Sequence, residues 1–213
     1  MNDKATQKRN SLLAEKLIKG LRQRHYDAYF CPDRQTLLEK VAELIPAGSS
    51  VSWGGSMSIR DTGITRMLKA GNYNVYDREE ETTEEGKRRV YLKAFDCDFY
   101  LTSANAISED GVIVNVDGNG NRVAAINWGP RHVLFVIGLN KVCRDVEAAV
   151  KRARFTAAPI NMARFHKPNP CQVDGVCHEC KSLDSICNYI SIQRMSHPAH
   201  RHIVLLSAED LGY

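Results

Sequence analysis

The sequence predicts an α/β fold, a mixed sheet flanked by helices, followed by a C-terminal segment that carries four cysteines. Two patterns lead there. Short apolar strands alternate with helical periodicity as far as Leu101. Beyond Gly111, apolar runs are split by turn-rich stretches, as in strands joined by hairpins. A third observation places a Gly54-Gly55-Ser56 loop between a strand and a helix, where α/β folds gather ligands.

Leu12, Leu13, Leu17, Ile18 and Leu21 recur at helical spacing, so Ala5–Arg24 is an amphipathic helix. Asp27–Cys31 is a strand, and Pro32-Asp33 supplies a turn and a cap. Leu37, Leu38, Val41, Leu44 and Ile45 mark a second helix, which Pro46-Ala-Gly48 ends. Ser50–Trp53 is a strand, Ser58–Ala70 a helix, Asn74–Tyr76 a strand, Glu80–Ala94 an exposed charged helix and Asp98–Leu101 a strand. Gly111–Val116, Arg122–Asn127 and His132–Ile137 follow as apolar runs, the first two separated by Asp117-Gly-Asn-Gly-Asn121, a hairpin signal. Asn140-Lys141 opens a long helix to about Ala157. Three prolines in Ala158–Pro170 set a boundary, dividing the chain into an α/β domain over 1–158 and a cysteine-bearing segment over 159–213. Within that segment His202–Leu206 is a final strand that returns to the sheet edge.

With 213 residues, 43% hydrophobic and 25% charged, the chain can bury a core without disulfide staples. Its net charge of +4 is spread among acidic residues, with no Lys/Arg run and no base-reading motif, which argues against nucleic acid. The polar start is unlike a secretion signal, and no stretch approaches the roughly 20 apolar residues of a membrane span. Together with an odd count of seven cysteines, this predicts a cytoplasmic protein with no membrane partner. A homo-oligomer is compatible with the sequence.

Four constellations carry chemistry. Gly54, Gly55, Ser56 and Ser58 combine close backbone approach, helix-start N–H groups and hydroxyls, a setting for a small anionic metabolite; a tight turn capped by Ser58 explains the same residues. Glu109, in Ser108-Glu-Asp-Gly111, is a candidate nucleophile or general base, or a solvated turn residue. Arg131 and His132 suit carboxylate recognition and proton transfer, or a rigid turn into a buried strand, with Arg60, Asp61 and Lys141 as further candidates for the same cleft. Cys171, Cys177, Cys180 and Cys187, spaced C-x5-C-x2-C-x6-C, place four thiols within 17 residues of one another in a loop poor in apolar residues. That suits an iron–sulfur cluster or zinc, with two disulfides or free thiols as the alternative. Cys31, Cys97 and Cys143 read as core residues, and His197, His200 and His202 as solvated or structural.

Val51-Ser-Trp-Gly-Gly-Ser-Met-Ser-Ile59, Thr62-Gly-Ile64, Ala104-Asn-Ala-Ile-Ser-Glu-Asp-Gly111, Pro130-Arg-His-Val133 and Lys141-Val142 resemble, in order and spacing, the motifs of the LUD family, lactate-utilisation protein C and its relatives. The resemblance covers Ala5–Ala158. It implies a fold like those of ribose-5-phosphate isomerase, glucosamine-6-phosphate deaminase and the CoA transferases. It implies an accessory role in oxidising lactate or a related 2-hydroxy acid, beside iron–sulfur partner proteins. Ser108–Gly111 also looks like the Ser-Glu-Asn-Gly turn of CoA transferases, with Asp110 in place of the amide, so a transferase or isomerase using Glu109 stays open. The four-cysteine segment departs from the named member, and a zinc-stabilised binding or regulatory module is the third reading.

Overall fold

The computed structural model describes residues 3–213. The chain opens with α1 (Lys4–Gln23), β1 (Asp27–Cys31), α2 (Arg34–Leu44), β2 (Ser50–Trp53), α3 (Met57–Asp61), α4 (Ile64–Ala70) and β3 (Asn74–Tyr76). Next come α5 (Glu84–Ala94), β4 (Phe99–Thr102), β5 (Ala106–Ser108), β6 (Ile113–Asp117), α6 (Asn121–Asn127) and β7 (His132–Gly138). It closes with β8 (Val142–Cys143), α7 (Val146–Arg152), α8 (Ala158–Met162), α9 (Cys171–Asp174), β9 (Tyr189–Gln193) and β10 (His202–Ser207).

The strands form two sheets. The larger has six parallel strands in the order β1-β10-β7-β4-β2-β3. The smaller, β8-β5-β6-β9, is mixed: β6 runs antiparallel to both β5 and β9, and β5 parallel to β8. The α/β class with a mixed sheet flanked by helices is therefore the observed one.

A parallel sheet needs cover on both faces, and β7 shows it residue by residue. Val133, Phe135 and Ile137 pack with Leu17 and Leu21 of α1. Leu134 and Val136 pack on the other face with Leu37 and Val41 of α2 and with Ile59, Ile64 and Leu68 of α3 and α4. Asp3, Asp33, Thr83 and Asp145 each cap a helix by accepting an N–H three residues on.

Four expectations change. Arg122–Asn127 lies in helix α6, because the Asp117 carboxylate accepts from Gly120 N and Val123 N, both at 3.2 Å, and Gly120 takes a φ of 80°. The Asp-Gly-Asn-Gly stretch is thus a strand-to-helix turn. The long helix from Lys141 begins only at Val146: Leu139–Lys141 makes a single tight turn and Val142–Cys143 pairs with β5 as β8. The helix then widens into one π turn over Ala153–Ala157. Tyr189–Gln193 is a strand that sequence periodicity did not mark. Finally, β10 does not sit at the sheet edge but between β1 and β7, and all six of its residues are buried. Among the described residues no helix is long and apolar enough to cross a membrane.

Candidate functional site

Because β2, β4 and β7 are parallel, their C-terminal ends share one rim of the sheet. The chain leaves β2 through Gly54-Gly55-Ser56, leaves β4 through Ser103-Ala104, and leaves β7 through the turn that ends at Lys141. These three exits border a cavity of about 800 Å³.

Lys141 is the most unusual group there. It is only 3% exposed, yet lines the cavity. Its Nζ lies 3.0 Å from Ser58 Oγ, 3.1 Å from Ser103 Oγ and 3.1 Å from the Ala104 carbonyl oxygen. Among the described residues no carboxylate comes within ion-pair distance of it. Burial, reinforced by the charges of Arg152 and Arg122, brings its pKa from 10.5 down to about 7. At neutral pH the amine is therefore poised between its charged and uncharged forms.

Arg122, at the start of α6, forms a second wall. It donates to the Val116 carbonyl at 2.6 Å and to Asn105 Oδ1 at 3.0 Å, and faces the Asp117 carboxylate at 3.4 Å. Asn105 Oδ1 also accepts from Val116 N, and Arg152 donates to the Asn105 backbone carbonyl.

The glycines have a steric reason. A Cβ on Gly55 would stand 2.5 Å from the Arg78 guanidinium, and one on Gly54 would stand 3.0 Å from Tyr100 Oη. Gly55, Ser56 and Ser58 line the cavity, with Gly54 packed behind them. Helix α3 is only five residues long and Ser56 makes no side-chain cap, so the pull on an anion comes chiefly from side chains. Ser58, expected as the cap, lies inside α3 and spends its hydroxyl on Lys141.

The other proposed members lie elsewhere. Arg131 and His132 stand at the start of β7, a strand of seven residues that spans about 20 Å from the rim. Arg131 is 79% exposed and faces Asp98 at 3.5 Å. His132 stacks on Phe99 with ring centroids 4.9 Å apart, its pKa lowered by burial. Glu109 does not line the cavity; its carboxylate pairs with Lys16 of α1. The Ser108–Gly111 turn is docked on α1, where Arg24 holds both the Asp110 carbonyl and its carboxylate. Arg60 lines the cavity, paired with Glu79. Arg122 and Asp117 escaped the sequence reading because their turn looked like a hairpin. Lys141, read only as a further candidate beside Arg131 and His132, is the one of the three that lines the cavity.

The four C-terminal cysteines are free thiols. Burial, with smaller contributions from the charges of Cys177, Cys171 and Cys180, pushes Cys187 up to about 11. Four thiols in one short segment are a donor set whose ionised forms a cation would favour, which fits a thiolate metal centre. Among the described residues, however, no three His, Cys, Asp or Glu side chains already converge on one point. The segment also walls the cavity: Ser185 and Ile186 line it, and Asn188 donates to the Gly118 carbonyl at 3.0 Å.

The LUD-domain family model matches residues 14–206, which takes in both sheets. The chain belongs to the LUD-domain family. At the level of the family it is a lactate-utilisation-type protein. Among solved structures, this LUD domain is similar to a DUF162-family protein from Deinococcus radiodurans, with a TM-score of 0.55 at 11% identity, covering 93% of this chain and 97% of that one. That likeness is one of fold. The delta subunit of eIF2B from Chaetomium thermophilum gives a TM-score of 0.36 at 15% identity, over 67% of this chain and 57% of that one, too distant to carry argument. The curated proteins contain no significant match.

Proposed function

We propose that this LUD-domain protein binds a small organic anion in the cavity beside Lys141, and that it serves the oxidation of lactate or a related 2-hydroxy acid in the cytoplasm. The observation that carries the binding reading is charge. Seven cationic side chains line the cavity against four carboxylates. Among the described residues Arg78, Arg164 and Lys141 have no carboxylate partner: Arg78 donates to Tyr91 Oη at 2.8 Å, Arg164 to Asn161 Oδ1 at 3.0 Å, and Lys141 meets only hydroxyls and a carbonyl. Of the three only Lys141 is buried, and a buried cation without a counter-charge is costly. A bound carboxylate or phosphate supplies that charge, and the two serines and Asn105 supply polar contacts that orient it.

Cys171, Cys177, Cys180 and Cys187 would hold the metal of such a protein. An iron–sulfur cluster there would supply one-electron transfer, and zinc would supply structural closure. The position of Ser185-Ile186 in the cavity wall supports the first use, since the segment borders the cavity proposed for the anion. The Glu109 transferase reading has less support, because that carboxylate is occupied by Lys16 away from the cavity.

Isothermal titration calorimetry with L-lactate, pyruvate and inorganic phosphate tests the binding. At least one should bind at pH 7, and Lys141→Met should weaken it tenfold or more. Absence of heat with all three at millimolar concentration would defeat the reading. Anaerobic reconstitution with iron and sulfide, or with zinc, tests the metal. Uptake no greater in the wild type than in the Cys177→Ser/Cys180→Ser variant would remove it.

A further inference from the structure

We propose that Lys141 is a catalytic nucleophile whose amine condenses with the carbonyl carbon of a 2-oxo acid held in the cavity, forming an imine. The inference rests on the anion-binding reading and names the substrate class for it.

A lysine reacts with a carbonyl only when its nitrogen carries a free electron pair and can reach the cavity. Most lysines that are largely withdrawn from water keep their proton by pairing with a carboxylate. Lys141 has hydroxyls and a carbonyl instead, at 3.0 to 3.1 Å, and its side chain lines the cavity. Arg122 and Arg152 press on it with like charge from the same side of the fold. Withdrawal from water and these two like charges favour the neutral amine over the pull of the three acceptors, and the pKa of about 7 follows from them.

The surroundings also suit the steps. The amine nitrogen attacks the carbonyl carbon, and the C–N bond forms as the C=O π pair moves to oxygen. The two hydrogens of the amine end, by way of the Ser58 and Ser103 hydroxyls, on that oxygen. The C–O bond breaks, water leaves and C=N remains, with no net oxidation or reduction. The adjoining carboxylate explains the cations. An uncharged aldehyde would leave the Arg78 guanidinium, which overlies the backbone of Gly55, without a counter-charge.

The test treats the full chain with pyruvate or glyoxylate and adds sodium borohydride, which reduces an imine to a stable secondary amine. Peptide mass mapping should show one adduct per chain, on Lys141, saturating with 2-oxo acid. Trapping should rise with a midpoint near pH 7 rather than in the range of surface lysines. Ser103→Ala should slow trapping at least severalfold even at saturating 2-oxo acid. Lys141→Met, checked for fold by circular dichroism, should show no specific adduct. If calorimetry shows binding of either 2-oxo acid but no adduct appears on Lys141, the amine is an anion-binding group and the nucleophile proposal fails alone. If neither binds, nor does lactate or phosphate, the binding reading fails and this proposal with it. Adducts confined to other lysines likewise overturn it.

Discussion

Lys141 and Ser58 stand 83 positions apart in the sequence and meet at 3.0 Å under the cavity, at the ends of two different strand exits. The contact joins the turn after β7 to helix α3 after β2. It exists only because both strands run the same way in one sheet. It also stores a cost, since an amine with no carboxylate partner is held out of water.

That cost makes the stability effect of Lys141→Met change sign with pH. The folded pKa of about 7 lies below the ordinary value of 10.5, so between those pH values the unfolded chain binds a proton that the folded chain does not. Stability contributed by the group therefore rises with pH across that window. A shift of this size corresponds to about 5 kcal/mol, offset by three lost hydrogen bonds at about 1 kcal/mol each. At pH 6 the variant should be about 2 kcal/mol more stable than the wild type, and at pH 10 less stable. Urea unfolding at both pH values measures this. A difference that does not vary with pH would mean that the amine is not held near neutrality.

How far the sequence carries is clearest along β7 and at Lys141. Strands buried on both faces, such as β2, β4 and β7, are apolar runs with polar caps on the helices between them, and local patterning suffices to place them. Sheet order is not local. His202–Leu206 was legible as a strand, but its place between β1 and β7 depends on pairing with Asp27–Cys31, far back in the chain. The strand β9 carries only a short Ile190-Ser191-Ile192-Gln193 alternation straight after the cysteine-bearing segment, and its pairing with β6 is not local. The Gly55–Ser58 wall was legible from its glycines. Lys141 became a central residue only through Ser58 and Ser103, both distant in sequence. Arg131 and His132 follow a turn as active-site residues often do, but at the wrong end of their strand.

Gly20 should resist replacement. Alanine in the interior of α1 would ordinarily stabilise the helix by about 1 kcal/mol. Here its Cβ would stand 2.8 Å from the Asp110 carbonyl oxygen and 2.9 Å from the carbonyl carbon, which are backbone and cannot swing away. Overpacking of this kind costs about 1–3 kcal/mol. Gly20→Ala should therefore be net destabilising by about 1–2 kcal/mol in urea unfolding. A stabilised variant would show that α1 and the Ser108–Gly111 turn do not press on each other.

His202 should govern part of the acid sensitivity. It is 1% exposed, with Nδ1 at 2.9 Å from Ser196 Oγ and Nε2 at 2.9 Å from the Ile126 carbonyl oxygen. Burial, aided by the Arg201 charge and opposed by the Ile126 contact, brings its pKa from 6.5 to about 4. Between those values the unfolded chain takes up a proton that the folded chain refuses, so stability falls as pH drops from 6.5 towards 4. The loss should reach about 2–3 kcal/mol. His202→Gln should be less stable at pH 7 but should flatten the slope in that window. An unchanged slope would assign the acid response to other groups.

Asp117 performs two tasks that substitution can separate. Its carboxylate caps α6 through Gly120 N and Val123 N, and it faces Arg122 at 3.4 Å on the cavity wall. Gly120 N and Val123 N donate to different oxygens of Asp117, so Asp117→Asn keeps one cap bond and loses the other together with the charge. The Arg122 guanidinium still donates to Val116 and Asn105, so the fold should lose no more than about 1 kcal/mol. With its carboxylate partner gone, Arg122 offers more positive charge to the cavity, and anion affinity should rise severalfold. Asp117→Ala removes the cap as well. It should cost about 2 kcal/mol and loosen the start of α6, lowering affinity because Arg122 is no longer positioned. Calorimetry and urea unfolding on the two variants, side by side, decide the matter. Affinity that moves the same way in both would show that the charge of Asp117 and its capping role do not act separately on the site.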